Sequence, residues 1–337
     1  MQNIAKFSFA DVLLVASILF LVILLELDDK DRALQRTKVQ TLHNLPSFKP
    51  PEVYYSPVNV LCVSFQGRLG NLMFQYASGF GIARQKNMTL RISKHDQIAK
   101  VFNTSAQKVH CKEYCQNAFK KFESIHCAYD PQLLNFTQIF VKLHTYLQSW
   151  KYFKSVTNSL RQELKFNDHI RATAEKIFHI ATKKAKFYGQ NSTYVGVHIR
   201  RGDMFYGQIK NESRISDYNI APITYIENAM AYFKKRFPRV TFVICSDDIR
   251  WVLWRFGRYQ KLLNLVFVHK KPEVDLAVLS MCNHTIMTTG TFGWWASWLA
   301  GGTTVYYKNY VKEDSVLRQQ FSSDFSDFFY PGWIPME

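Results

Sequence analysis

The chain is poor in acidic residues and in glycine for its length. Its 337 residues include 26 Asp and Glu against 43 Lys and Arg, and only 14 glycines. The resulting net charge of +17 favours an anionic partner, such as a nucleotide, a nucleic acid, a membrane surface or an acidic glycan. The basic residues form only short runs, and no nucleic-acid-binding motif accompanies them, so nucleic acid is the weaker candidate.

Apolar residues are plentiful, and the chain is long enough for more than one domain. They make up 47% of the sequence, with 15% aromatic residues, so the chain can bury sizeable cores and does not have the composition of a disordered protein. The length suits two domains of ordinary size.

The amino terminus carries a candidate membrane anchor. Residues 7–25 are apolar apart from two serines and one aspartate, which is enough to span a bilayer. We expect a retained signal-anchor at 7–25, a cytoplasmic tail at 1–6 and a proline-punctuated stem at 26–57. The distribution of Lys and Arg around the span, taken alone, would instead place the bulk of the chain in the cytoplasm.

Six Asn-x-Ser/Thr sequences favour the lumenal side of a membrane. The expected glycosylation acceptors are Asn87, Asn103, Asn135, Asn191 and Asn211, whereas a sixth asparagine, Asn283, stands in a segment that is predicted to be buried. We give the six sequons more weight than the distribution of Lys and Arg around the span, so we expect the bulk of the chain in the lumen.

Six cysteines are compatible with the same compartment. Cys111, Cys115 and Cys127 are close together in a stretch without clear periodicity, where we expect at least one disulfide. Cys62 and Cys245 fall in predicted core strands, so we expect both to be buried thiols.

Two series of strands alternate with helices. The first begins with a strand over 58–65, a glycine-containing turn over 66–71 and a helix over 72–86. This order opens nucleotide-binding folds. A full GxGxxG is absent, however, and a tight turn that needs glycine only for its backbone is the alternative. Residues 95–150 show no clear period, and residues 151–186 are largely helical in period.

The second series begins at residue 194. It predicts strands over 194–199, 240–245, 265–268, 284–288 and 303–307, and helices over 223–236 and 273–281. It also predicts a short helix opened by residues 246–248, a segment 289–293 that leads into a helix through residue 299, and a polar loop over 204–220. Such alternation predicts parallel sheets with helices on both faces. The expected fold class is therefore α/β, with two Rossmann-like domains, 58–190 and 191–337, facing a cleft. The segment 321–337 is expected to pack back on the body.

The strand at 194–199 brings several functional groups to its end. His198, Arg200, Arg201 and Asp203 stand where ligands bind in open α/β sheets. Two guanidiniums suit a phosphorylated ligand because each planar fork pairs with phosphate oxygens. Successive side chains of a strand alternate in direction, so we expect Arg200 on the ligand and Arg201 holding the loop through Asp203. The alternative is a surface Arg–Asp pair beside an ordinary strand.

Three segments resemble the motifs of the galactoside α1,2-fucosyltransferase family. Residues 198–203, His-Ile-Arg-Arg-Gly-Asp, match the His-x-Arg-Arg-x-Asp motif shared by α1,2-, α1,6- and protein O-fucosyltransferases. Residues 67–77 are similar to the amino-terminal motif of the α1,2 family, and residues 275–299 resemble its carboxyl-terminal motif.

This resemblance implies an enzyme that uses GDP-L-fucose as donor, needs no metal or other cofactor, and transfers fucose with inversion to the 2-hydroxyl of a galactose-terminated glycan. It also implies a type II Golgi membrane protein with its catalytic part in the lumen. Its amino-terminal domain would lie on the acceptor side and its carboxyl-terminal domain would bind the donor. A different glycan or protein acceptor, and a catalytically silent binding protein, are the alternatives.

The resemblance also implies roles for individual residues. Arg200 is the expected diphosphate ligand, with Arg201 and Asp203 supporting it, and His198 either contacts the donor or fills the core. Further donor contacts are expected from Arg68, Gly70 and Asn71 across the cleft, from Thr289, Gly290, Thr291 and Phe292 at a helix start, and from Asn283 and His284 on the guanine.

The general base that accepts the acceptor proton is not evident in the sequence. Asp247 and Asp248 follow a strand and are candidates, although at least one of them is expected to cap a helix. Trp294, Trp295 and Trp298 stand at core spacing within a helix, and stacking on sugars is the alternative for them.

Overall fold

Two parallel sheets carry the fold. The computed structural model describes residues 59–110, 115–209 and 217–337. In these residues the first sheet is built from β1 (Val60–Val63), β2 (Thr89–Ser93), β3 (Gln107–Val109), β4 (Phe119–Phe122) and β5 (Phe140–His144). The second comprises β6 (Thr193–Ile199), β7 (Val240–Ser246), β8 (Leu265–Val268), β9 (His284–Met287), β10 (Thr304–Tyr307) and β11 (Ile334–Met336). The strand orders are β3-β2-β1-β5-β4 and β11-β10-β9-β6-β7-β8, and all of these pairings are parallel.

Helices connect and cover the strands. They are α1 (Leu69–Gln85), α2 (Gln97–Val101), α3 (Thr157–Glu163), α4 (Asp168–Thr182), α5 (Gly202–Ile209), α6 (Ile223–Arg236), α7 (Ile249–Phe256), α8 (Gln260–Leu263), α9 (Pro272–Ser280) and α10 (Thr291–Ala300). The predicted α/β class is therefore confirmed. The predicted polar loop over 204–220 is wrong in its first part, because residues 202–209 form α5 and bury Met204.

An aromatic core joins α1 to α10. Trp294, Trp295 and Trp298 are all buried, which confirms their prediction as core residues. The ring centroid of Phe74 on α1 lies 4.6 Å from that of Trp294 and 5.0 Å from that of Trp295. Burying each such side chain contributes about 1.5–3 kcal/mol. The two helices that follow the central strands of the two sheets are thus held together, and both begin at the same cleft.

One predicted thiol is a disulfide. Cys62 on β1 is bonded to Cys115, so its prediction as a free buried thiol is wrong, while the expected disulfide does involve Cys115. The partner is 53 residues away in sequence, beyond the reach of local spacing. Cys245 and Cys127 are buried free thiols, and Cys111 lies outside the described residues.

The carboxyl-terminal segment packs back on the body, as predicted. Its last strand, β11, extends the second sheet beside β10, and Phe321 and Phe328 are buried in the core. The indole Nε1 of Trp150 donates to the carbonyl of Ser326 at 2.9 Å, and that of Trp294 donates to the carbonyl of Phe328 at 2.9 Å.

The predicted tail, membrane span and stem, residues 1–57, lie outside the described residues, as does Asn211. No described helix combines the length and the apolar character needed to cross a membrane. The other expected glycosylation acceptors, Asn87, Asn103, Asn135 and Asn191, are exposed, and their modification stays a prediction.

Candidate functional site

A cavity of about 370 Å³ opens where the carboxyl ends of the two sheets approach each other. Eight of the predicted site residues line it: Arg68, Gly70, Asn71, His198, Arg200, Asp247, Thr291 and Phe292. These residues come from the loops and helix starts that follow β1, β6, β7 and β9. The cavity therefore lies at the carboxyl ends of parallel strands, where the sequence predicts the site, and the roles of these residues stay predictions.

Arg200 is held rigidly at the floor of this cavity. Its Nε and a terminal guanidinium nitrogen donate to the two carboxylate oxygens of Asp203 at 3.2 and 2.9 Å, and its backbone N–H donates to Thr288 Oγ1 at 2.9 Å. Gly290 has a φ of 96°, and a Cβ there would collide with the guanidinium. Only glycine therefore fits beside Arg200, and the cation is positioned before any ligand arrives.

Asp203 also binds the guanidinium of Arg68, which reaches it from the loop after β1. Burial alone would raise the pKa of Asp203, but Arg200 and Arg68 hold that pKa well below its usual range. The carboxylate is therefore ionised at any physiological pH, which suits it to orienting the arginines and not to accepting a proton in catalysis.

Arg201 has a different partner from the one predicted. It donates to Asp248 at 2.8 Å and lies between the rings of Phe205 and Trp251, 4.1 and 4.7 Å from their centroids. The expected contact through Asp203 is wrong because the alternation of β6 turns Arg201 away from the cavity. It braces α5 against α7, with its charge neutralised and its planar face covered.

The start of α10 offers a ligand fewer backbone N–H and hydroxyl groups than predicted. The N–H of Gly290 already donates to the Tyr310 hydroxyl at 2.7 Å, and Thr289 is buried with its hydroxyl on Met204 Sδ. Thr291 and Phe292 do line the cavity. Thr291 Oγ1 donates to Asn71 Oδ1 at 2.7 Å, which joins the two sheets' loops directly.

His198 is both buried and part of the cavity wall. Its ring lies against Phe292, with centroids 5.0 Å apart, and its Nδ1 is a buried atom with no hydrogen-bond partner in the described residues. Burial first, and then the neighbouring Arg200, lower the pKa of His198 to about 3. The imidazole is therefore neutral, and its Nδ1 lies against Gly293 of α10, where a side chain larger than that of glycine would meet the ring.

Sequence reasoning missed the far end of the cavity. Gln97, Ser246, His269, Lys270 and Asp275 line it. Asp275 Oδ1 accepts the N–H of Lys270 at 2.9 Å, and burial raises the pKa of Asp275 to about 6. Asp275 opens the carboxyl-terminal motif, so its position as the first polar residue of that motif was an available signal.

Asn283 and His284 are not brought to the cavity. Asn283 Oδ1 accepts the N–H of Tyr194 at 2.9 Å, and His284 Nδ1 accepts the N–H of Thr303 at 3.0 Å. All of these residues stand at the beginnings of β6, β9 and β10. Because the strands are parallel, their beginnings lie at the opposite edge of the sheet from the site, so the geometry contradicts a guanine contact for either residue.

The two base candidates differ in their placement. Asp248 caps α7, with Oδ1 accepting the N–H of Trp251, and pairs with Arg201 through Oδ2. Asp247 lines the cavity, and its Oδ1 accepts the N–H of Arg201 at 2.9 Å. Among residues 59–110, 115–209 and 217–337, no cluster of three or more His, Cys, Asp or Glu could hold a metal ion.

Comparison with known proteins identifies the family. The model of glycosyl transferase family 11 matches residues 32–337. The chain is 30% identical to galactoside alpha-(1,2)-fucosyltransferase 2 of Pongo pygmaeus, over 79% of this chain and 76% of that protein. It is also 30% identical to galactoside alpha-(1,2)-fucosyltransferase 2 of Mus musculus, over 82% and 78%.

A solved structure is also similar to this chain. The fucosyltransferase NodZ from Bradyrhizobium aligns over 71% of this chain and 92% of its own, with 14% identity and a TM-score of 0.46. The resemblance drawn from the three motifs is confirmed by the matched sequence relatives: the chain belongs to glycosyl transferase family 11.

Proposed function

We propose that this chain is a galactoside 2-α-L-fucosyltransferase. It transfers L-fucose from GDP-β-L-fucose, with inversion and without a metal ion, to the 2-hydroxyl of a galactose at the end of a glycan. The observation that carries the proposal is the half-buried Arg200, fixed by Asp203 and Gly290 in a cavity between two parallel sheets, in a chain whose relatives bear this name. The two halves act as Rossmann-like domains of the GT-B arrangement.

The reaction breaks the bond between the fucose anomeric carbon and the diphosphate oxygen. Negative charge then grows on the departing GDP, and the sugar ring becomes positive. Arg200 lies ready for the diphosphate, and Arg68 supplies a second cation from the opposite loop. Preorganised charges of this kind stabilise the transition state without a reorganisation cost, which is the usual reason that a site can manage without a divalent ion.

The far end of the cavity suits the base of the donor. Guanine presents two N–H groups on one edge, which a carboxylate accepts together, and Asp275 offers such a carboxylate beside Lys270 and His269. His198 lines the same cavity and stays neutral, so it can pack against the donor without adding charge. Asp247, exposed in the same cavity, stays the candidate for the acceptor proton.

The proposed location follows from the sequence. A span at 7–25 and exposed sequons at Asn87, Asn103, Asn135 and Asn191 support a type II Golgi protein with this unit in the lumen. The partners are GDP-fucose, a galactoside and the membrane.

The test is transfer of labelled fucose from GDP-fucose to lactose, with the product linkage determined by NMR. An α1,2 linkage, formed at the same rate with and without EDTA, is the expected result. Absence of transfer to any galactoside by the folded protein contradicts the proposed acceptor. Activity that EDTA abolishes and manganese restores contradicts the proposal that Arg200 and Arg68 neutralise the leaving group without a metal ion.

A further inference from the structure

The loop that follows β5 has a strained backbone. Thr145 has a φ of 97° and Leu147 a φ of 54°, both in the left-handed region that favours glycine. A β-branched residue there is a marked outlier, and each such residue costs on the order of 1–3 kcal/mol. Strain of this kind persists only where the surroundings enforce it, and it is concentrated at functional sites.

Buried polar groups of α1 and of the segment after β4 enforce this conformation. The carboxylate of Glu123 accepts from Thr145 Oγ1 at 2.8 Å and from the N–H of Leu147 at 3.0 Å. Gln75 donates to the carbonyl of Thr145 at 3.2 Å, and Ser78 to that of Leu147 at 2.9 Å. The residue between the two strained positions, Tyr146, is half-buried, with its backbone fixed on both sides.

The same helix face ties this loop to the donor site. Asn71, Gln75 and Ser78 stand at positions i, i+4 and i+7 of α1, so they share one face. The Gln75 side chain also makes two hydrogen bonds to the backbone of Gln66: its Oε1 accepts from the N–H at 3.0 Å, and its Nε2 donates to the carbonyl at 3.2 Å. Asn71 Oδ1 accepts from Gln148 at 3.2 Å as well as from Thr291. Hydrogen bonds through α1 therefore connect the loop 145–148 to residues 66–71, which include the proposed donor contacts Arg68, Gly70 and Asn71.

The loop that carries Tyr146 and the part of the cavity at Gln97 lie on opposite flanks of β1. The strand order places β2 and β5 on opposite sides of β1. Gln97, which follows β2, lines the cavity, whereas the loop after β5 is on the other flank. Tyr218 connects that flank to Arg200, whose guanidinium carbon is 5.7 Å from its ring centroid. Burial raises the pKa of Tyr218, Cys127 raises it further, Arg200 lowers it and Tyr146 raises it, so Tyr218 is close enough to Arg200 and to Tyr146 to feel both.

Tyr146 is backed by a second ring. The imidazole of His126, from the segment after β4, meets it edge-on with centroids 5.7 Å apart, and the His126 side chain is 39% exposed. A rigid, partly exposed aromatic face presents apolar area at little entropic cost, and a galactopyranose carries a face of C–H groups that matches it.

We propose that Tyr146, supported by His126, is the platform on which the acceptor galactoside rests, and that the strained loop holds it there. This inference rests on the proposed function and specifies its acceptor subsite. It places the galactose beyond Arg200, on the opposite side of the diphosphate from the guanine, with its 2-hydroxyl toward the anomeric carbon. The acceptor ring is thus selected by shape, and the donor by charge.

The test compares Tyr146→Ala, Tyr146→Leu and Tyr146→Phe with Tyr188→Ala, a control at an exposed tyrosine that packs on His179. We expect Tyr146→Ala and Tyr146→Leu to raise KM for lactose about tenfold. The KM for GDP-fucose stays within about twofold in both. Tyr146→Phe keeps the ring, so it should recover most of the lactose affinity lost in Tyr146→Ala, whereas Tyr188→Ala leaves both constants near those of the wild type. Tyr146→Leu keeps much of the side-chain volume, so it decides the question if the alanine variant does not fold.

Binding of lactose in the presence of GDP, measured by saturation-transfer NMR, separates this inference from the proposed function. Suppose that the wild type transfers fucose and that folded Tyr146→Leu has an unchanged KM for lactose. This result overturns the assignment of Tyr146 and leaves the proposed function intact. A wild-type protein that binds lactose through Tyr146 but transfers nothing contradicts the function and supports the platform. An equal loss of donor and acceptor binding in Tyr146→Leu assigns Tyr146 to the fold and overturns the inference.

Discussion

The carboxylate of Asp203, in the first turn of α5, pairs across the cleft with the guanidinium of Arg68, in the loop after β1. Asp203 is also the partner that fixes Arg200. One carboxylate therefore holds both of the cations that we propose for the diphosphate. The two side chains differ in exposure, since 71% of the Arg68 side chain is exposed against 22% of that of Asp203. Breaking this ion pair at Arg68 therefore exposes no part of the core.

Arg68→Ala is predicted to weaken donor binding with little effect on stability. Exposed ion pairs contribute about 0–1 kcal/mol, so the free energy of unfolding should fall by no more than that. The KM for GDP-fucose should rise about tenfold, the equivalent of about 1.4 kcal/mol. Urea unfolding and steady-state kinetics measure the two effects. Arg84→Ala, at the other end of α1, is the matched control, and an equal rise in donor KM there would contradict the assignment.

Arg200→Lys is predicted to abolish most of the transfer while the protein stays folded. Lysine keeps the charge but offers a single point donor, so it cannot bind Asp203 and a phosphate oxygen in the same plane. Losing one preorganised donor to a developing charge costs about 10²–10³ in kcat. Arg258→Lys, at an exposed arginine on Tyr259, should leave kcat unchanged. Wild-type kcat in the Arg200 variant would show that the guanidinium does not act on the leaving group.

Much of the second sheet was predictable because its signals are local. The runs at 194–199 and 240–245 are buried on both faces, so unbroken apolar sequence marks them as central parallel strands. The helix Ile223–Arg236 was predicted at its observed bounds. The position of Arg200 at a strand end follows from the same reading.

The parts that were missed depend on distant contacts. The strand Phe119–Phe122 is short, lies at the sheet edge and is mostly exposed, so it carries no apolar period. The Cys62–Cys115 disulfide and the Glu123 clamp on the loop after β5 join residues far apart in sequence. The error at Asn283 has a simple cause, since nearness to a motif in sequence says nothing about which end of a strand faces the site.

The Cys62–Cys115 disulfide is predicted to stabilise the first sheet. It links central strand β1 to the segment before β4, and closing a long loop of this kind typically contributes about 2–4 kcal/mol. The Cys62→Ala, Cys115→Ala double variant should lose about that much free energy of unfolding in urea. Dithiothreitol should destabilise the wild type to a similar extent and leave the double variant unaffected. Equal sensitivity of both proteins to the reductant would mean that another pair is responsible.

Donor binding is predicted to depend on pH through Asp275. Burial raises the pKa of its carboxyl to about 6, so the ionised form that accepts hydrogen bonds from guanine predominates above that pH and is lost as the pH falls through it. The donor binds only that form, so its Kd should increase about tenfold for each unit below about pH 6. His198, with a pKa lowered to about 3, stays neutral over the same range and cannot produce this effect.

GDP-fucose is the ligand for this measurement because its diphosphate is a diester and does not ionise between about pH 5 and 7.5, whereas the terminal phosphate of free GDP does. Calorimetric titration of the wild type and Asp275→Asn over that range gives the comparison. The variant should bind more weakly at pH 7.5 and show a flat profile. Because the asparagine keeps the shape of the side chain and removes only its ionisation, a pH dependence that survives in the variant would assign the titration to another group and remove Asp275 from guanine binding.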